Sequence, residues 1–309
     1  QQQQGTASTV LADRVGALLD RVSGYLGAER FDRISDGVTV AGHWALLAVA
    51  VLGLLIELTG IPSHGVSALV RGIGWLIALP LLQYVAVQFM GATRSMVTTN
   101  STSLGSQAFL RSYALVALVG AIAGVVGALA QGIEAGSLRL FLFGLGMAAL
   151  WLATAWLALN PGLLGIRINR QSGAGEEAIG VLSFFAKSAV RIVPIFYGVT
   201  LVVAAIEAVL TLGGMIGASS TARMLAITRA EFFAPTVIGA VLSPLLAYIG
   251  FLLFFLVIDL MRGILGIPGA MQGGGARSGR SGGTSSRKKA ASRKKTASSG
   301  SGQGGSAGA

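Results

Sequence analysis

Six long runs of apolar residues, separated by short polar segments, occupy most of the chain between residues 41 and 260. A helix needs about 20 residues to cross the roughly 30 Å hydrocarbon layer of a bilayer, and each run is close to that length. The runs cover approximately Ala41–Thr59, Val66–Met90, Phe109–Ala130, Leu138–Leu159, Ile192–Leu212 and Ala234–Leu260. They lack the period-two alternation of barrel strands, so they predict an all-α, polytopic bundle of six transmembrane helices.

Composition excludes a soluble enzyme or nucleic-acid-binding domain as a description of the whole chain. Charged residues make up only 11%, about half of what soluble domains carry, and the mean hydropathy is +0.73. The absence of cysteine excludes disulfides and thiolate chemistry. His43, expected at the membrane interface beside Trp44, and His64 are too far apart for a helical metal motif. We therefore expect no catalytic site, metal site or cofactor.

The distribution of Lys and Arg predicts the orientation of the bundle. Only four of the 23 basic residues lie in or next to the connections inside the three predicted hairpins, namely Arg71, Arg139, Arg223 and Arg229. Basic residues concentrate on the cytoplasmic side of membrane proteins, so we expect three helical hairpins with both termini on that side. We expect a bacterial inner membrane or, if the chain is a processed one, a plastid or mitochondrial membrane, with termini in the stroma or matrix.

Residues 1–40 form a polar N-terminus that contains an amphipathic helix at about residues 9–26. Its apolar face consists of Leu11, Val15, Leu18, Leu19, Val22 and Leu26. The opposite face carries both Asp and Arg, whereas helices that lie on lipid are usually rich in Lys and Arg. Two interpretations remain, namely contact with protein (the chain's own loops or a partner) and binding to the membrane surface.

Residues 272–309, which follow a transmembrane domain at 41–271, consist mainly of Gly, Ser, Ala, Lys and Arg and predict a disordered tail. A basic hexad occurs twice and supplies Arg287, Lys288, Lys289, Arg293, Lys294 and Lys295. A tail beside its own membrane gains about 1 kcal/mol per basic residue from anionic lipid. Anionic lipid is the expected partner, with an acidic protein as the alternative and nucleic acid less favoured; a purely solvating tail is also compatible with the sequence.

Three acidic residues within or near the apolar runs are candidates for an intramembrane site, because ionised groups are costly in lipid. Glu207 is the deepest, and it is either a proton- or cation-binding carboxylate in a cavity or a structural carboxylate bonded to a neighbouring helix. Glu57 is expected to meet Arg71 across the first connection. Asp259 is three residues before Arg262, a spacing that allows an ion pair on one helix face.

Small residues and prolines indicate how the helices pack and bend. Gly120, Gly124 and Ala128 form a stripe at four-residue spacing, which serves either packing inside the bundle or a homodimer interface. Pro80 and Pro244 fall inside predicted helices, where each removes a backbone hydrogen bond and is expected to bend its helix.

Two classes of function fit these features. In the first, the bundle is a transporter or channel for a small solute, or a component of a transport system, with Glu207 as the preferred site residue. In the second, it is a non-catalytic scaffold subunit of a membrane complex and recruits partners through its two ends. The scarcity of intramembrane charge favours a neutral or apolar solute over an ion-coupled pump.

Overall fold

The computed structural model describes residues 14, 16–59, 61, 65–99, 102–169, 174–216 and 219–273, and it describes no side chains at 98, 174, 220–233 and 262–273. Six long helices account for most of this part of the chain. They are α1 (Ala28–Thr59), α2 (Val66–Thr99), α3 (Gln107–Glu134), α4 (Leu138–Leu159), α5 (Ala174–Met215) and α6 (Ser220–Gly273). All six contain a segment long and apolar enough to cross a membrane, which supports the predicted multi-pass membrane protein.

Three helix starts differ from the sequence prediction. Helices α1 and α5 begin at Ala28 and Ala174, well before the apolar runs that start near Ala41 and Ile192. Helix α6 begins at Ser220, within the segment that separates the fifth and sixth predicted runs. Hydropathy marks where a helix enters hydrocarbon, whereas backbone hydrogen bonding continues into polar turns. The polar first turns of α1 are held by ion pairs of Asp32 and Asp36 with Arg94.

The described part of the predicted N-terminal amphipathic helix is helical at residues 16–25 and ends before α1. Leu19 is buried, Arg111 lies 3.0 Å from Asp20, and the Asn160 side-chain amide donates to the Leu26 carbonyl at 2.8 Å. The segment therefore contacts the start of α3 and the residue that follows α4, and its binding to the membrane surface stays a prediction. Leu18, predicted on the apolar face, is 56% exposed.

The connection between α3 and α4 is a tight turn of three residues. Gly136 adopts a φ of 55°, a conformation that a residue with a Cβ rarely tolerates. Ser137 then caps α4 by accepting a hydrogen bond from the Leu140 amide. Because the turn is short, α3 and α4 pack against each other as neighbouring antiparallel helices, as α1 and α2 also do.

A short parallel sheet on the side of the even-numbered connections is an addition to the predicted all-α fold. Strand β1 (Thr102–Leu104) pairs with β2 (Ile166–Ile168) in the register Thr102 to Ile166. The buried Lys187 of α5 fixes this pair, because its amine donates to the Leu164 carbonyl at 2.9 Å and to the Thr102 hydroxyl at 3.2 Å. The sheet ties the second and fourth connections of the chain to α5.

Buried side chains form two main clusters within residues 1–260. One lies at the sheet side and joins Phe31 of α1, Trp156 of α4, Phe184 of α5 and Phe251 of α6 with the two strands. The other lies farther along the bundle, where Leu46, Leu79, Leu201 and Val237 bring α1, α2, α5 and α6 together. Many other apolar side chains are exposed on the outer surface, as a lipid-facing surface requires.

Candidate functional site

A cavity of about 290 Å³ lies between α1, α2, α5 and α6, beyond the second cluster and toward the ends of α1 and α5. Its walls are mainly apolar or small, and its charged lining residues are one acid and one base. The lining residues are Val49, Gly53, Ile56, Glu57, Arg71, Trp75, Leu79, Ala204, Ala208, Thr211, Ala234 and Val237. An apolar cavity with a few convergent polar groups is the usual form of a small-molecule site.

The two charged residues of this cavity form an ion pair. The Nε and Nη2 groups of Arg71 donate to the Glu57 carboxylate at 3.2–3.3 Å, which confirms the predicted contact across the first connection. Gly72 permits this approach, because a Cβ there would lie 2.8 Å from Leu54 of α1. The pair places a hydrogen-bond acceptor and hydrogen-bond donors on the wall of the cavity.

Glu207 occupies a different position from the one expected of a cavity carboxylate. It is buried and does not line the 290 Å³ cavity. Its carboxylate lies 3.3 Å from the guanidinium of Arg139 at the start of α4. The partner comes from another hairpin, so sequence spacing gave no indication of the pair. The geometry matches the structural alternative that the sequence left open.

Asp259 is not brought near Glu57 or Glu207. Asp259 is exposed near the end of the part of α6 whose side chains the structure describes. The side chain of Arg262 lies outside the described residues. Pro80 lies within α2, directly after the cavity residue Leu79. Pro244 is buried within α6. The predicted bends at both prolines remain predictions.

The small-residue stripe of α3 faces α4. A Cβ at Gly120 would lie 2.9 Å from the Trp151 ring, and one at Gly124 would lie 3.1 Å from the Ala148 Cβ. A Cβ on Gly144 of α4 would in turn lie 2.5 Å from the Cβ of Ala128. The stripe is therefore used for close packing within the chain, the first of its two interpretations.

Helices α1 and α5 approach each other closely at a pair of glycines that the sequence did not single out. A Cβ at Gly42 would lie 2.6 Å from the Gly198 Cα. Their neighbours in the sequence, His43 and Tyr197, form a hydrogen bond of 2.8 Å between Nδ1 and the phenol oxygen. His43 thus faces α5, whereas Trp44 is exposed, and the predicted position of His43 at the membrane interface stays a prediction.

A chain of alternating charges lies near the start of α1. Arg191 of α5 pairs with Asp32, Arg94 of α2 lies 3.5 Å from Asp32, and the same Arg94 lies 2.9 Å from Asp36. The sequence placed Arg191 at the end of a transmembrane run and gave no indication of its partners. The basic tail residues Arg287 to Lys295 lie outside the described residues, so their predicted anionic partner stays a prediction.

The chain matches no protein-family model, no curated protein and no solved structure. The functional conclusion therefore depends on the geometry alone.

Proposed function

We propose that the chain is a transporter or channel for a small solute, or the solute-binding component of a transport system. The cavity between α1, α2, α5 and α6 is the observation that supports this proposal. At about 290 Å³ it lies just below the roughly 300–1,000 Å³ range of ligand pockets, so its occupant is smaller than a drug-sized molecule. No catalytic step is part of this proposal.

The lining favours a solute that is small and uncharged overall, with polar groups that hydrogen-bond to the ion pair. Val49, Trp75 and Val237 present apolar surface, and the Glu57–Arg71 pair supplies both a hydrogen-bond acceptor and donors. Because the two charges neutralise each other, an ion of either sign gains little on entry. Glu57 therefore replaces Glu207 as the carboxylate that we assign to the solute site.

The proposed topology places both termini on the cytosolic, stromal or matrix side. Six helices return the chain to its starting side, and all but four of its basic residues lie at the termini and the even-numbered connections. On this topology Glu57, Arg71 and Glu207 lie toward the opposite side. Reporter fusions at the two ends test it, and an opposite location of the two reporters would contradict it.

Filling the cavity from Gly53 tests the proposed path. Nothing lies within 4 Å of a Cβ built there, so Gly53→Phe introduces a ring into the cavity without forcing α1 from its neighbours. Gly74→Phe is the matched control, because Gly74 is also free of contacts but lies outside the cavity lining. We expect Gly53→Phe to reduce entry of glycerol, urea or erythritol into proteoliposomes at least tenfold, measured by stopped-flow light scattering, and Gly74→Phe to leave it unchanged.

The scaffold function makes the opposite prediction for the same preparations. Purified protein that admits none of the three solutes, and that co-purifies in mild detergent with another membrane complex at fixed stoichiometry, is a scaffold subunit. Equal rates for wild type, Gly53→Phe and Gly74→Phe would likewise contradict the transport proposal. Glu207→Gln is expected to leave flux intact, because Glu207 does not line the cavity.

A further inference from the structure

A second cavity, of about 140 Å³, lies between α1, α2 and α5, near the start of the apolar runs of α1 and α5 and the end of that of α2. Its polar lining residues are Ser35, Asp36, Thr39, Thr93, Arg94 and Arg191. It shares no lining residue with the 290 Å³ cavity, so it is a separate feature of the bundle. We call it the headgroup pocket.

The charges around the headgroup pocket balance once Asp32, which does not line the pocket, is counted with the three charged lining residues. Two guanidinium groups, Arg94 and Arg191, alternate with two carboxylates, Asp32 and Asp36, in one connected network. An occupant with a net charge would upset this balance. An occupant that carries one group of each sign keeps it, and each of its groups meets a partner of opposite sign.

One strong donor of this network is unused among the residues that the structure describes. Arg191 is 9% exposed, and its Nε–H is buried without a hydrogen-bond partner. The Nη2 group of the same guanidinium donates to Asp32. The Cζ atom of Arg191 lies 5.8 Å from the centre of the Phe31 ring. Leaving a buried charged donor unpaired is strongly unfavourable, so an acceptor is expected beside it when the pocket is occupied.

The mouth and the floor of the pocket differ in exposure. The side chains of Asp36 and Arg94 are 60% and 47% exposed, whereas that of Arg191 is 10% exposed. Asp36 lies five residues before the apolar run of α1, where a transmembrane helix meets the lipid headgroups. A headgroup at this depth can reach the floor without leaving the bilayer surface.

We propose that the headgroup pocket binds phosphoethanolamine chemistry, a phosphate oxyanion joined to a primary ammonium, presented by a zwitterionic membrane lipid. A phosphate oxygen accepts the hydrogen bond from the Arg191 Nε, and the ammonium donates to the Asp36 carboxylate at the mouth. Choline headgroups fit less well, because a trimethylated ammonium has no N–H to donate. Anionic headgroups carry no cation that could pair with the exposed Asp36 carboxylate. This inference is independent of the transport proposal.

Binding of short-chain phosphatidylethanolamine to the full chain in mild detergent tests the proposal. We expect it to bind at least tenfold more tightly than short-chain phosphatidylglycerol or phosphatidylcholine, measured by native mass spectrometry. Arg191→Lys keeps the positive charge and removes the Nε donor, and we expect it to weaken phosphatidylethanolamine binding about tenfold, the effect of one charge-assisted hydrogen bond. Binding of free O-phosphoethanolamine and of inorganic phosphate is measured in parallel, to distinguish a lipid headgroup from a soluble phosphate compound as the ligand.

Asp36→Asn provides a result that loss of fold does not produce. Removing this carboxylate leaves the pocket with an excess positive charge, so the preference is expected to shift from phosphatidylethanolamine toward phosphatidylglycerol. Asp20→Asn is the matched control, because Asp20 is 63% exposed and also pairs with an arginine, but lies outside the pocket. Competition by O-phosphoethanolamine, and not by inorganic phosphate, supports the headgroup chemistry.

Three results would overturn the proposal. The first is equal affinity of the wild type for the three lipids. The second is an unchanged preference in Asp36→Asn. The third is a folded Arg191→Lys variant, with its thermal unfolding midpoint retained, that binds phosphatidylethanolamine as the wild type does; water would then satisfy the Nε donor.

Discussion

Replacing Gly42 by Ala places a methyl group against the backbone of α5, at the crossing that aligns His43 with Tyr197. The new Cβ would lie 2.6 Å from the Gly198 Cα and 3.1 Å from the buried Tyr197 ring. Carbon atoms prefer separations of about 3.5–4.0 Å, so the helices must move apart by about 1 Å. The nearest atom belongs to the backbone and cannot rotate away.

The expected free-energy change follows from two opposing effects. Overpacking of a close contact destabilises by about 1–3 kcal/mol, whereas Gly to Ala in a helix stabilises by about 0.8–1.0 kcal/mol. Gly42→Ala should therefore lower the free energy of unfolding by about 1 kcal/mol. Gly53→Ala, on the same helix, gains the helix propensity without a clash, since no atom lies within 4 Å of its Cβ. Propensity cancels in the comparison, so the two variants should differ by about 1–3 kcal/mol.

The assay is reversible unfolding in mixed micelles, followed by far-ultraviolet circular dichroism during titration with sodium dodecyl sulfate. Comparing midpoints at equal slope gives the difference between the variants directly. If Gly42→Ala and Gly53→Ala unfold within about 0.3 kcal/mol of each other, helix propensity alone accounts for both. The close crossing of α1 and α5 would then be refuted.

Three further predictions concern contacts outside the cavity. Arg139→Ala should lower the free energy of unfolding by about 1–3 kcal/mol, less than the loss of a fully buried ion pair would, because Arg139 is 58% exposed. Adding Glu207→Gln should restore much of that loss in the same unfolding assay. Lys187→Met should destabilise by about 1–3 kcal/mol because it leaves the Leu164 carbonyl unpaired, which a lower thermal unfolding midpoint in detergent would show. Leu19→Ala should loosen the N-terminal helical segment, seen as faster cleavage near residue 20 by limited proteolysis while the remaining helices stay protected.

The six helices could be predicted from the sequence because each depends on its own residues. An apolar run of sufficient length must form a helix in lipid, whatever surrounds it. The Glu57–Arg71 pair was also predictable, since a short connection leaves few partners within reach. Gly120, Gly124 and Ala128 indicated a packing face by spacing alone.

The remaining features depend on residues that are distant in the sequence. Glu207 meets Arg139 from another hairpin, and Arg191 meets Asp32 across a separation of 159 residues. The three-residue strands are too short to show alternation, so the parallel pairing of β1 with β2 had no sequence signal. The glycines at the α1–α5 crossing looked like many others among the 45 in the chain.

Accessibility of a single cysteine in the cavity tests the central proposal most directly, and the native chain contains no cysteine to interfere. Ala208→Cys places a thiol in the cavity lining, and Leu253→Cys places one on the exposed outer face of α6. We predict that a membrane-impermeant methanethiosulfonate modifies Ala208→Cys in proteoliposomes, that this modification blocks solute entry, and that Leu253→Cys in the hydrocarbon layer does not react. Equal inertness of both thiols, or full solute entry after modification of Ala208→Cys, would contradict a solute path through this cavity.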